Sequence, residues 1–128
     1  MQILPIAIVL CIALLCLAVV WKCRKRKLSP AMRKRILLHW EHVDLLKDPV
    51  RKVLEADKVL DQALAARGYK GSLGEKLQKA GPRFSDLDAV WRAHKLRNRI
   101  AHEPGADISA SQSAAAVAAF HRAVSDLL

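Results

Sequence analysis

Beyond Cys23 the 128-residue chain contains no cysteine. A domain lying after that point therefore has neither a disulfide framework nor a thiolate metal site, and it does not need oxidising surroundings. No run of alternating apolar and polar residues marks a strand, and no segment repeats at a fixed period. Zinc takes three or four ligands, and no second cluster complements His39, Glu41 and His42. Solvated or half-buried histidines are expected there. Gly68-Tyr69-Lys70-Gly71-Ser72 is too short and wrongly placed for a phosphate loop, and reads as a helix connection. No Ser/His/Asp or Cys/His grouping stands out, and no cofactor is expected. Trp40 and Trp91 are expected in a core and not on a base-stacking surface.

Acidic residues are also missing from one stretch. Residues 22–35 carry Lys22, Arg24, Lys25, Arg26, Lys27, Arg33, Lys34 and Arg35 without one acid. The formal net charge of +10 belongs mainly to these eight bases. The other fourteen bases share residues 36–128 with all twelve acids, so that region has a net charge of +2. Such a nearly neutral domain argues little for nucleic-acid binding. The basic stretch suits anionic lipid headgroups instead.

What precedes that stretch explains it. Ile3 to Trp21 holds no charged residue. As a helix these residues would span roughly 28 Å, close to the roughly 30 Å hydrocarbon core of a bilayer. Pro5 falls in the first turn, where its missing N–H costs nothing. Trp21 suits the membrane interface, and the following bases are expected to stay in the cytoplasm. A cleaved leader would carry bases before the apolar run and a small-x-small site after it, whereas here the bases follow. Leu15, before Cys16, is too large for a lipoprotein site. The expectation is an uncleaved, single-pass anchor in the cell membrane, with a short external N-terminus and a cytoplasmic C-terminal domain. The divisions are an anchor at 1–22, a basic juxtamembrane segment at 23–35 and a domain at 36–128.

The domain reads as about five helices. Ser29-Pro30 supplies an N-cap and an N1 proline, and Ile36, Trp40 and Val43 form the first stripe. Asp48-Pro49 opens the second helix, which ends at Gly68, a suitable residue for the left-handed position after a helix. Its stripe is Val50, Val53, Leu60 and Leu64, with Asp57 inside it and Asp61 at its edge. Ser72 with Glu75 is a capping box for a short helix that stops at Gly81-Pro82. Ser85 is expected to cap the fourth, which ends before Pro104. Ser109 with Gln112 caps the fifth, whose stripe is Val117, Phe120, Val124 and Leu127. The loops are short, so neighbouring helices should run antiparallel. The fold class is all-α, with one transmembrane helix followed by a small antiparallel bundle.

The fourth helix of the domain departs from a simple amphipathic pattern. At about 100° per residue, Leu87, Val90, Trp91, His94, Asn98 and Ala101 share one side. Ala89, Ala93, Leu96 and Ile100 occupy another, and Arg97 falls between the two. A helix apolar on two sides is central in its bundle or packs on a second subunit. A homodimer through this helix is therefore expected, with one side facing the second copy. A buried Arg97 needs a partner, because an unpaired buried charge is costly. Asp57 and Asp61 are the candidates.

The same residues carry a family resemblance. Arg97-Asn98-Arg99-Ile100-Ala101-His102 fits R-x4-H with a polar residue directly after the Arg. The wider run Ala93 to Pro104 resembles the signature helix of HEPN domains and of the related DUF4145-like proteins. The resemblance covers Ile36–Leu128 and implies a small all-α bundle with the motif on a late helix. In active members the motif makes a metal-independent ribonuclease. Carried over, His102 would be general acid and base at the ribose 2′-OH or the leaving oxygen. Arg97 would stabilise the phosphorane charge, and Asn98 would orient them. Histidine titrates near neutrality and Arg matches phosphate geometry, so the chemistry is coherent. On an ideal helix Arg97 and His102 lie about 140° apart. They would converge through the long Arg side chain, by fraying before Pro104, or across a dimer, as the family does. Other members keep the fold as a binding or adaptor module. The two expectations are thus a membrane-tethered ribonuclease acting on RNA, and a non-catalytic interaction or nucleotide-binding module in which Arg97 is structural.

Overall fold

The computed structural model describes residues 3–24 and 27–128, with the side chains of residues 22–24 excepted. Lys25 and Arg26, and the side chains of Lys22, Cys23 and Arg24, therefore lie outside the described part of the basic segment. Six α-helices are described: α1 (Ile3–Arg24), α2 (Pro30–Leu45), α3 (Pro49–Ala66), α4 (Leu73–Ala80), α5 (Leu87–His102) and α6 (Ala110–Leu127). A single 3-10 turn, Gly81–Arg83, follows α4, and no strand occurs among the described residues. The chain is all-helical, as its patterning implies.

Every side chain from Ile3 to Trp21 is exposed. The apolar part of α1 thus buries nothing in the protein, while being long and apolar enough to cross a membrane. The remaining helices form the bundle. Its central member is α3, which packs against α2, α4, α5 and α6, and α6 also packs along α5. The α3 stripe is wider than its sequence suggests. Val53, Ala56, Val59, Leu60, Ala63 and Leu64 are all fully buried. Ile36, Trp40 and Val43 of α2 close one side of the core, and Phe120, Ala123, Val124 and Leu127 of α6 close another.

Helix starts follow local chemistry, because the first backbone N–H groups of a helix need acceptors. Ser29 Oγ accepts from Met32 N at 3.2 Å, and Asp48 Oδ2 accepts from Arg51 N at 3.1 Å. Both capping boxes are complete: Ser72 with Glu75 on α4, and Ser109 with Gln112 on α6. Helix α3 closes with a Schellman motif. Gly68 takes φ +92°, Tyr69 N donates to Leu64 O at 3.1 Å, and Gly68 N donates to Ala65 O at 2.9 Å.

One expected cap is displaced. Ser85 does not cap α5; Asp86 does, its Oδ1 accepting from Ala89 N at 3.0 Å. The Ser85 amide and hydroxyl both donate to Asp126 Oδ2 of α6, at 2.8 and 2.9 Å. A tertiary carboxylate thus engages Ser85 and leaves the next residue to cap. Asp86→Ala should therefore cost about 1 kcal/mol, the usual value of a lost N-cap. Chemical denaturation checks it, and an undiminished midpoint would return the capping role to Ser85.

Helix α5 presents one buried arc and not two separate apolar sides. Val90, Ala93 and His94 are buried, and Arg97 continues the same line as a half-buried residue. Leu87, Trp91 and Asn98 form one half-buried flank, and Ala89, Leu96 and Ile100 form the other. Ala101 is exposed. Arg97 therefore lies in the middle of the face that α5 turns towards its own bundle.

Candidate functional site

The polar centre of the domain assembles on Asp57, the one buried carboxylate among the described residues, with 4% of its surface exposed. It projects from an otherwise apolar α3 stripe towards α5. His94 Nδ1 lies 3.3 Å from Asp57 Oδ1, and Arg97 Nε lies 3.1 Å from Asp57 Oδ2. The Arg97 contact is an ion pair by distance. The Nε–H does not align with the oxygen, so no hydrogen bond completes it. Residues three apart on a helix are neighbours, which lets His94 and Arg97 share one carboxylate.

Asn98 ties the two together. Its Nδ2 is 3.3 Å from His94 Nε2, and Arg97 Nη1 donates to its Oδ1 at 3.2 Å. These partners fix the hydrogen-bond roles. Arg97 can only donate, so Asn98 must offer it the carbonyl oxygen and turn its amide nitrogen to His94. His94 Nε2 then accepts from Asn98, and Nδ1–H donates to Asp57. The Arg97 and Asp57 charges offset one another, and the buried Arg97 Nε–H is left without a hydrogen bond. Trp91 packs its ring edge-on to His94, with centroids 6.0 Å apart.

Asp57, His94, Arg97 and Asn98 line a cleft of about 550 Å³ between α3, α5 and the start of α4. Asp61, Gln62 and Ser72 also line it. Lys76 of α4 is buried, and its Nζ donates to Asp61 Oδ1 at 2.8 Å. The two aspartates of α3 thus have different cations, Asp57 with Arg97 and Asp61 with Lys76. Lys76 was not singled out from sequence, although it interrupts the apolar line Leu73, Leu77 and Ala80 of α4. His94 was expected on an inward face but not as a ligand of Asp57.

His102 lies elsewhere. It is exposed in the last turn of α5, does not line the cleft, and has no hydrogen bond or ion pair among the described residues. Of the three motif residues, the structure joins Arg97 to Asn98 and leaves His102 apart within one chain.

The histidine pair of α2 also has an ordinary setting. His39 Nδ1 is 2.9 Å from Gln62 Oε1, its Nε2 is 3.9 Å from Glu55 Oε2, and His42 is exposed. The Lys58 ammonium, 2.7 Å from Glu55, holds that carboxyl below its usual value against the opposing effect of partial burial. Among the described residues no group of three or more His, Cys, Asp and Glu side chains has metal-site geometry. No family model, curated protein or solved structure matches the chain. The functional reading therefore rests on the residues themselves.

Proposed function

We propose that the protein is a single-pass anchored HEPN-like domain serving as a non-catalytic binding module on the cytoplasmic side of the cell membrane. The observation that carries this reading is the engagement of Arg97. Its guanidinium is committed to Asp57 and Asn98 inside the bundle, while His102 is exposed and outside the cleft. An Arg held in this way neutralises a buried carboxylate and ties α5 to α3, which is a structural role. The bases after α1 favour the cytoplasmic orientation, because such segments resist translocation.

The ribonuclease reading has one observation in its favour. Arg97, Asn98 and His94 line a solvent-open cleft, where a phosphate would meet both a guanidinium and an amide. In that reading His102 would come from a second copy. The test is RNA cleavage by the full chain in detergent micelles, with chelator present. The binding-module reading expects no cleavage above the level of the micelles alone. Cleavage that disappears in a folded His102→Ala variant would overturn it and establish the enzyme.

A further inference from the structure

Outside α1, the exposed large apolar side chains among the described residues are Leu37, Leu38 and Leu45, and all three belong to α2. Leu38 and Leu45 are seven residues apart, hence on one face, and are 53% and 79% exposed. A soluble helix normally turns leucines inward, so an apolar row outside marks a contact surface. At about 100° per residue, an arc of about 100° around Leu38 holds, in order, Lys34, Leu45, Leu38, Ala31, His42 and Arg35. All six are exposed. The arc therefore carries two leucines between two bases and contains no carboxylate. Glu41 stands at its Lys34 edge, and Leu37 and Asp44 lie beyond Glu41. Lys34 and Arg35 make no ion pair or hydrogen bond among the described residues. Arg33 is engaged elsewhere, its Nη1 donating to Leu128 O at 2.8 Å.

The chain holds this face close to the membrane. Residues 25–29 join α1 to α2. Even fully extended, this link reaches no more than about 18 Å. Lys22, Arg24, Lys25, Arg26 and Lys27 lie in or beside it without an acid. With α1 in the bilayer, α2 is within reach of the headgroups, and docking there is an intramolecular step favoured by a high effective concentration.

We infer that α2 docks side-on onto the anionic cytoplasmic surface of the membrane. Leu38 and Leu45 enter the headgroup region, while Lys34 and Arg35 reach along their apolar stems to the lipid phosphates and carboxylates. This inference rests on α1 being the membrane anchor. It extends the basic link into a folded helix face, so that the domain lies on the bilayer in one orientation instead of swinging on its link. A second copy suits the same face less well, because arc on arc would set the bases of one chain against those of the other. The contact takes no residue of the Arg97 cleft, since α2 does not line it.

The test uses the full chain in vesicles of phosphatidylcholine and phosphatidylserine that also hold a spin-labelled lipid. A fluorophore is placed on one cysteine at a time, with the remaining cysteines replaced by alanine. A label at His42→Cys, on the third turn of α2, should be quenched, and one at Lys95→Cys on α5 should not. A label on Cys16 reports the anchor itself and should be quenched throughout. Omitting phosphatidylserine should release position 42 and leave Cys16 unchanged. Lys34→Gln with Arg35→Gln should lower the docked-to-free ratio about 25-fold, about fivefold for each base near an anionic surface. Leu38→Ser with Leu45→Ser should also release position 42. All four positions are exposed. Should a variant nevertheless fail to fold, the vesicles without phosphatidylserine still decide with no substitution on the docking face. Quenching of Cys16 without quenching at position 42 would overturn the docking and leave the anchor standing. An unquenched Cys16 would overturn the anchor and the docking with it. Equal quenching at positions 42 and 95, or quenching at position 42 indifferent to phosphatidylserine and to both pairs of substitutions, would overturn the proposal. So would a label at position 42 that is shielded only as protein density rises, which would assign the face to a second copy.

Discussion

Arg97→Ala should destabilise the domain by about 3 kcal/mol, the low end of the cost of breaking a buried ion pair. The low end applies because the Arg97 side chain is about one-third exposed and because His94 remains on the other oxygen of Asp57. Asp57→Ala should cost at least as much. It strands both His94 and Arg97, and the small side chain leaves a void between α3 and α5. Removing both residues should cost less than the two single losses combined, since each single variant includes the penalty of leaving the other charge alone. A coupling of about 1–3 kcal/mol is the expected range for groups in one network. For a domain of this size, about 3 kcal/mol lowers the melting temperature by roughly 12–24 °C. Near-UV dichroism of the full chain in micelles reads it, because α1 contributes little to the packing of Trp40 and Trp91. Additive single and double losses would show that Arg97 and Asp57 do not act as a pair, whatever their distance.

His102→Ala is the counterpart. An exposed residue without partners should change stability by no more than about 0.5 kcal/mol. The contrast with Arg97→Ala separates a structural arginine from an exposed histidine that share one sequence motif.

The legible part of this fold is the part set by local chemistry. Ser29-Pro30, Asp48-Pro49, Ser72 with Glu75, and Ser109 with Gln112 all mark true helix starts, since a cap satisfies N–H groups within three residues of itself. Ser85 misleads because its partner, Asp126, is 41 residues away and no local rule reports it. Helix α5 is the other instructive case. Its wheel shows which residues avoid water, but not which direction is inward. Two apolar flanks with Arg97 between them suggest two neighbours, one a second subunit. In the bundle the flanks are the edges of one arc, and Arg97 lies near its centre because Asp57 waits there on α3. Asp57 was conspicuous in its apolar stripe, so the pairing of Arg97 with an α3 aspartate was legible. The choice of Asp57 over Asp61 was not, because it depends on Lys76 reaching Asp61 from a third helix. His94 as the second ligand of Asp57 was hidden for the same reason: it takes the relative placement of two helices to bring them together.

Leu10→Arg together with Leu14→Arg should release the protein from the membrane. Twelve Ile, Leu and Val side chains occupy Ile3–Trp21, all exposed and none packed into the bundle. Each favours insertion by about 0.3–0.6 kcal/mol when central, and less near the ends, so α1 gains several kcal/mol from them in total. An arginine near the helix centre costs about 2.5–3.5 kcal/mol on the same scale, and each replacement also removes a leucine. Two central arginines therefore cancel the gain. Leu10→Ala with Leu14→Ala should leave the anchor in place, because ten apolar branched residues remain. The readout is the carbonate-resistant membrane fraction, since carbonate strips proteins held only by charge, such as through the basic segment. The alanine variant should stay in that fraction and the arginine variant should leave it. A C-terminal reporter active only in the cytoplasm, fused to the unaltered chain, reads the orientation in the same cells. Reporter activity on the outer face would reverse the topology, and an arginine variant that stays resistant to carbonate would show that α1 is not what holds the protein.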